Sequence, residues 1–181
     1  MTKARDLANS AAAFAAVSTT ELGFLDGVTS AVQTQIDAKA ASSTPTLTGP
    51  IFISPEERTT ISATAATGTV NFDASTQGVL YYTTNASGNW TLNVRGTSGT
   101  TLNSILTTGD AITVSFLVTN GSTAYYQTAF NIDGSVVTPK YSGGTAPASG
   151  NASAIDAYSY TIVKTASATF TVFGAGPIKY A

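Results

Sequence analysis

The sequence has 181 residues, which is the size of one domain or of one domain with a tail. Charged residues make up only 10% of the chain and the formal net charge is −2, whereas soluble proteins carry roughly 25% charged residues. Histidine and cysteine are absent. Their absence excludes disulfides, thiolate zinc sites, cysteine nucleophiles and Ser-His-Asp triads.

The few charges also limit the classes of partner. The eight Lys and Arg residues are scattered, which differs from the basic clusters of nucleic-acid-binding proteins. No run of the sequence approaches the ~18 apolar residues that span a bilayer. We therefore expect no cofactor, no metal, no nucleic-acid partner and no membrane insertion.

Composition divides the chain into three parts: residues 1–40 are helical in pattern, residues 41–58 form a Ser/Thr/Pro linker, and residues 59–181 are all-β in pattern. Two short helices carry thin apolar stripes in the first part. A helix of about a dozen residues with so thin a stripe is marginal alone, but it can pack around an axis against copies of itself. We predict that four side chains turn toward this axis: Leu22, Leu25, Val32 and Ile36.

The run VSTTELGFLDGVTSAVQTQIDAK at residues 17–39 resembles a module of bacteriophage tail-fibre and virion appendage proteins, common among marine phages including cyanophages. The TPTLTGP motif at residues 44–50 resembles a second phage-fibre element, and residues 140–164 are similar to C-terminal domains of marine-phage structural proteins. The resemblance implies a homotrimer located in the virion. It also implies that residues 1–16 dock to other virion proteins and that the β domain is distal.

From residue 69 onward apolar and polar residues alternate, with turn clusters at the spacing of a β-sandwich. We predict a mainly β fold, in which the helical stem precedes an antiparallel, jelly-roll-like β-sandwich. The predicted strands are Thr69–Asp73, Gly78–Thr83, Trp90–Arg95, Ala111–Thr119, Ala124–Ile132, Tyr158–Lys164 and Ala168–Phe173, with weaker ones near Ile61 and Val136. The linker ends at residues 54–58 in a pattern that predicts one helical turn.

Two strand registers follow if consecutive strands form hairpins. A three-residue loop at residues 120–122 places Phe116 opposite Tyr126 and gives both strands one apolar face. A one-residue slip would turn that face outward, so burial should fix this register. By the same argument, Ile162 faces Phe170 across a loop at residues 165–167.

The β domain offers few groups for chemistry. Its four aspartates stand in turns or at strand ends, which predicts turn or solvated roles: Asp73, Asp110, Asp133 and Asp156. Trp90 is predicted to be in the core. In each adjacent tyrosine pair one ring should face inward and one outward. The candidate receptor-binding residues are Tyr81, Tyr82, Tyr125 and Tyr141, with the polar loop Ser142–Ala152 supplying hydrogen bonds.

Three functions stay open at this point. The first is a short trimeric fibre that presents the β domain for recognition of a host-surface molecule, with a neutral glycan favoured by the uncharged surface. The second is a structural head or neck fibre, or a decoration protein, that binds no host molecule. The third is a small polysaccharide-degrading enzyme, which is disfavoured because no paired carboxylates stand out.

Overall fold

The computed structural model describes residues 55–181 and, before them, only Lys3, Ser18, Thr20, Gly23 and Val28. The chain divides into two compact units, Met1–Ile53 and Ser54–Ala181. The predicted axis residues lie outside the described residues: Leu22, Leu25, Val32 and Ile36. The helical stem, its trimeric association and virion attachment through residues 1–16 therefore stay predictions.

Residues 55–181 are mainly β, as the alternating pattern predicts. The strands are β1 (Thr59–Ala65), β2 (Gly68–Asp73), β3 (Val79–Thr84), β4 (Trp90–Arg95), β5 (Ala111–Thr119), β6 (Gln127–Ile132), β7 (Ser135–Val136), β8 (Lys140–Tyr141), β9 (Ile155–Ala166) and β10 (Thr169–Tyr180). A short helix, α1 (Leu102–Ile105), follows β4, and a 3-10 turn, Ser142–Gly144, follows β8. Each predicted strand is present, whereas β8 and α1 were not predicted.

The helical turn predicted at residues 54–58 was wrong in its described part, because residues 55–58 are irregular. The carbonyl of Arg58 accepts hydrogen bonds from the amides of Gly78 and Val79, at 2.9 and 3.3 Å. Hydrogen bonds from the start of β3 thus hold the end of this segment.

The strands form two sheets. The six-stranded sheet has the order β1-β3-β5-β9-β10-β8, and the four-stranded sheet has the order β2-β4-β6-β7. From β1 to β6 the chain alternates between the sheets. Each strand's neighbour in its own sheet is therefore the next strand but one along the chain. Strands reached in this way run in the same direction: β1, β3 and β5 are parallel, and so are β2, β4 and β6.

The predicted antiparallel, jelly-roll-like pairing was therefore wrong for most of the domain. Of the eight strand pairs within residues 55–181, five are parallel. The antiparallel pairs are β5–β9, β9–β10 and β6–β7. The prediction failed because apolar and polar residues alternate in the same way along two strands of a hairpin and along two strands of different sheets that share a core.

The first predicted register was wrong because β5 and β6 belong to different sheets. Phe116 lies opposite Tyr158 of β9, not opposite Tyr126. Phe116 and Phe130 both point into the core, but from opposite sheets. Burial therefore selected the inward residues of β5 and of the end of β6 without selecting the partner. At the start of β6 the predicted inward face was wrong, because Gln127 is buried and Tyr125, not Tyr126, packs against the core.

The second predicted register was displaced at the turn. Ile162 lies opposite Val172, and Phe170 lies opposite Lys164. The turn uses Ser167 and Ala168, the latter with a φ of 49°, and the pairing shifts by one residue between Thr169 and Phe170. An extra residue of this kind at a strand end moves every later pair.

One hydrophobic cluster contains buried side chains from both sheets. Trp90 of β4 contacts Phe116 and Tyr158 of the six-stranded sheet edge-on, at ring-centroid distances of 5.8 and 6.1 Å. Phe130 of β6 contacts Tyr160 of β9 at 4.6 Å. Trp90 is buried, as predicted, so it cannot stack on a ligand.

Helix α1 is held at each end by a charge of complementary sign. The Asp133 carboxylate accepts from the amides of Leu102 and Asn103, at 2.7 and 3.0 Å. The Lys164 ammonium donates to the carbonyls of Asn103 and Leu106, at 2.6 and 2.8 Å. These groups satisfy backbone atoms that a short helix leaves unpaired.

Strand β1 lies at the end of the six-stranded sheet and is irregular. Its pairing with β3 shifts between Ser62 and Ala65, where β1 contains one residue more than β3. The hydroxyls of Thr83 and Thr84 donate to the carbonyls of Ser62 and Ala63, at 3.2 and 2.7 Å. Within residues 55–181 no strand pairs with the other edge of β1.

Candidate functional site

A groove lies where the edge of the four-stranded sheet meets the segment that leads to β8. Its volume is about 290 Å³. One wall is residues 126–130 at the start of β6, and the others are residues 136–139 together with Tyr141, Ala146 and Pro147. We call it the edge groove. No charged residue lines it.

Backbone hydrogen bonds fix the β6 wall of the edge groove. The amide of Tyr126 donates to the side-chain oxygen of Asn89 at 3.1 Å, and the carbonyl of Tyr126 accepts from the amide of Trp90 at 3.3 Å. Tyr126 itself is half-buried and lines the edge groove.

Tyr141 reaches the edge groove because a glycine stands opposite it. Strand β8 pairs with β10 so that Tyr141 lies beside Gly174. A Cβ at Gly174 would lie 2.7 Å from Cε1 of Tyr141 and 2.9 Å from Cε1 of Tyr160. The absence of a side chain thus lets the two rings pack side by side, with their hydroxyl oxygens 3.5 Å apart.

The interior of the domain holds polar side-chain atoms that make no hydrogen bond. Gln127 Oε1, Trp90 Nε1 and Tyr158 Oη are buried and unpaired. Burial raises the pKa of Tyr160 well above the ordinary tyrosine value, and the neighbouring Tyr141 adds to the shift. Burial likewise raises the pKa of Tyr158, with the Asp156 carboxylate adding to it. Both hydroxyls therefore keep their protons and carry no charge at neutral pH.

A second groove, of about 590 Å³, lies on the outer face of the six-stranded sheet. We call it the sheet groove. Tyr81, Leu117 and Ala157 form its floor, and Ile178 and Tyr180 of β10 contribute to its lining.

The four candidate tyrosines are not brought together. Tyr141 lines the edge groove and Tyr81 the sheet groove. Tyr82 faces the core, where it contacts Phe116 at 5.7 Å, so Tyr81 and Tyr82 point to opposite sides, as predicted. Tyr125 packs partly against the core.

The sequence did not single out the other residues of the edge groove. Tyr126, which is adjacent to Tyr125 in the sequence, was not predicted to bind a receptor, and no role was predicted for Pro139. Part of the loop predicted to supply hydrogen bonds, Ala146 and Pro147, lines the edge groove, whereas its hydrogen-bonding role stays a prediction. Pro-containing segments flanking a tyrosine were the available signal.

The four aspartates each have structural partners. Asp73 pairs with Arg95 at 2.6 Å, and Asp110 accepts from the amide of Thr107 at 2.7 Å. Asp133 caps α1, as described above. The predicted solvated role was wrong for Asp156, which is fully buried. It accepts from Asn120 Nδ2 and from the amide and Nδ2 of Asn151.

Comparison with protein-family models, with curated proteins and with solved structures gave no match. Within the described residues, no helix is long and apolar enough to cross a membrane. The same residues contain no cluster of three or more acidic side chains that could hold a metal ion. The grooves and outer faces of residues 55–181 are therefore the basis for a proposed function.

Proposed function

We propose that this chain is a non-enzymatic subunit of a short, trimeric bacteriophage fibre. In this proposal its β domain, with the two sheets stacked as a sandwich, binds a neutral glycan of the host surface in the edge groove. The fibre assignment is supported by the resemblance of residues 17–39 to phage appendage modules. The glycan assignment is supported by the composition of the edge groove.

The proposal rests on the observation that aromatic residues, prolines and residues with hydrogen-bonding groups line one groove that has no charged residue. A sugar ring presents an apolar face that packs on an aromatic ring and hydroxyls that need hydrogen-bond partners. Thr128 and Thr138 place hydroxyls beside Tyr126 and Tyr141. The Thr128 hydroxyl donates to the Trp90 carbonyl at 3.3 Å, and its oxygen can still accept a hydrogen bond from a sugar. An anionic ligand would find no cation in this lining.

The size of the edge groove favours a short oligosaccharide. Its volume of about 290 Å³ is at the lower limit of small-molecule sites, ~300–1,000 Å³. One such site binds weakly, but three on one fibre act together through their effective concentration.

The carboxylates support a non-enzymatic role. Glycoside hydrolysis needs an acid and a second carboxylate that both reach the sugar. Asp73, Asp133 and Asp156 each hold protein groups instead. The edge groove itself contains no carboxylate.

A titration with soluble, monovalent neutral oligosaccharides tests the glycan proposal. We expect saturable binding by the full chain, a loss of at least about tenfold in affinity in Tyr126→Ala, and unchanged affinity in Tyr81→Ala, whose ring lies on another face. A monovalent ligand reports single sites, so the number of associated copies does not affect the result. Absence of binding across a neutral glycan panel, or equal losses in both variants, contradicts the proposal and leaves the purely structural fibre.

A second experiment tests the virion location. Antibodies against residues 55–181 should label purified particles of the phage that encodes this chain, at a fixed place on each particle. Particles that lack the chain by labelling and by mass spectrometry rule the fibre assignment out.

A further inference from the structure

The outer face of the six-stranded sheet carries an unbroken apolar row. Five residues are register partners across five neighbouring strands: Ile61, Tyr81, Leu117, Ala157 and Ile178. Ile61 is 68% exposed, Ile178 is 52% exposed and Tyr180, beside the row, is 57% exposed. Contiguous apolar surface of this kind marks interaction sites, whereas single exposed apolar residues do not.

This face is also free of charge over most of its width. The outward residues of β1, β3, β5, β9 and β10 are apolar or carry hydroxyls, as in the neighbouring row of Thr59, Val79, Ser115, Ser159 and Ala175. The first charge on this face is Lys140 on the short edge strand β8.

The other sheet shows that low charge content alone does not produce such a face. On the outer side of the four-stranded sheet, Asn71, Asn93 and Asn131 form a polar row across three parallel strands. Asn93 donates to Asn71 at 2.8 Å, and the next row contains the Asp73–Arg95 ion pair. The domain thus has a polar row on one outer face, with Asn93 at its centre buried, and an apolar row on the other outer face.

From this contrast we infer that the outer face of the six-stranded sheet is a contact surface between copies of this chain. A second copy is the favoured occupant because an uncharged face meets its own copy without like-charge repulsion, whereas a charged partner would lose hydration there with no counter-charge in return. The inference rests on the proposed trimeric fibre, which holds the copies close together.

The area of the face fits a contact that depends on this tethering. A third row on this face contains Thr119, Ile155 and Tyr180. Strands spaced ~4.8 Å apart and side chains repeating every ~6.8 Å on one face give a footprint of about 400–500 Å² for five strands and three rows. A stable interface buries about 800 Å² per partner. The face is therefore large enough to align tethered domains and too small to associate them alone. The sheet groove provides the concave part, into which an exposed side chain such as Ile61 of a second copy fits.

Single cysteines test the inference cleanly, because the chain contains none. Ala157→Cys places a thiol in the centre of the face, and Thr69→Cys places one on the outer face of the four-stranded sheet. Under mild oxidation of the full chain we expect disulfide-linked dimers from Ala157→Cys at a yield about tenfold or more above that of Thr69→Cys, because tethering raises the effective concentration. The yield should not depend on protein concentration.

The mass in solution distinguishes a failure of the contact surface from a failure of the trimeric fibre. A trimeric mass without cross-linking of Ala157→Cys overturns the contact surface and leaves the fibre intact. A monomeric mass overturns the trimeric fibre as well. If the chain is monomeric and the thiol of Ala157→Cys still does not react with a soluble thiol reagent, another part of the same chain covers the face. That result also refutes the inference.

Discussion

At the scale of single residues, Lys164 has an unusual environment for a lysine. Its side chain is buried, and its ammonium group is held by two helix carbonyls rather than by a carboxylate. Lys164→Met keeps the aliphatic stem but leaves both carbonyls without a donor. Hydrogen bonds to charged groups contribute about 1.5–3 kcal/mol, so we expect the free energy of unfolding to fall by about 2–3 kcal/mol in chemical denaturation.

Lys179→Met provides the matched control, because Lys179 is exposed. Exposed substitutions usually change stability by less than about 0.5 kcal/mol. Equal stabilities of the two variants would mean that the α1 carbonyls are hydrated and that Lys164 does not hold the helix.

The two buried tyrosines make stability sensitive to alkaline pH. An unfolded tyrosine ionises near pH 10, whereas burial raises the pKa of Tyr158 and of Tyr160 in the folded chain. Above about pH 10 the unfolded state has therefore released protons that the folded state still holds, and stability falls as pH rises. Below about pH 9 both states keep these protons and the two groups have no effect.

Phenolate absorbance during alkaline titration measures this effect. We expect Tyr158 and Tyr160 to ionise only as the domain unfolds, and Tyr160→Phe to lose less stability above pH 10 than the parent chain. If every tyrosine ionised at the ordinary pKa while the domain stayed folded, the expected link between ionisation and unfolding would be contradicted.

At the scale of elements, Asp156 joins three parts of the domain. It lies at the start of β9 and accepts hydrogen bonds from Asn151, at the end of the long loop after β8, and from Asn120, just after β5. The same Asn120 amide donates to the carbonyl of Tyr125 at 3.0 Å. This buried carboxylate thus fixes the crossing to β6 and the loop that carries Pro147.

Asp156→Asn keeps the shape but turns an N–H group toward donors that need an acceptor. We expect a loss of about 2–3 kcal/mol in stability and faster hydrogen exchange at residues 145–151. Asp110→Asn, at an exposed turn with one hydrogen bond from Thr107, should cost less than about 1 kcal/mol. Unchanged exchange in the loop of Asp156→Asn would show that other contacts hold it.

The strands themselves were predictable because alternation records which side chains face the core. Trp90–Arg95 and Ala111–Thr119 were placed with their observed bounds. Their partners were not predictable, since an inward Phe116 satisfies burial equally in a hairpin and across a core. The two-residue turn at Ser167 and Ala168 escaped prediction because Ala rarely adopts a positive φ.

At the scale of the whole molecule, the candidate site depends on topology more than on local sequence. The edge groove combines Tyr126, just before β6, with Tyr141 from β8, and β6 and β8 belong to different sheets. The sequence identified tyrosines that could bind a ligand, but the order of the strands in the two sheets decides which of them share a surface. That order also assembled the apolar row of the six-stranded sheet from residues as far as 117 positions apart, Ile61 and Ile178.

The irregularity in β1 has a consequence for colloidal behaviour. A regular strand at the end of a sheet can template further strands and lead to aggregation. The extra residue after Ser62 interrupts the pairing pattern, and a bulge of this kind twists the strand and disfavours further strand addition. Deleting Ala63 should restore regular pairing, and we expect that variant to form thioflavin-binding aggregates sooner than the parent chain at equal concentration. Equal lag times would show that the bulge does not protect the edge. A shorter lag time in the variant would mean that the one extra residue in β1 keeps the copies soluble at high concentration before they assemble.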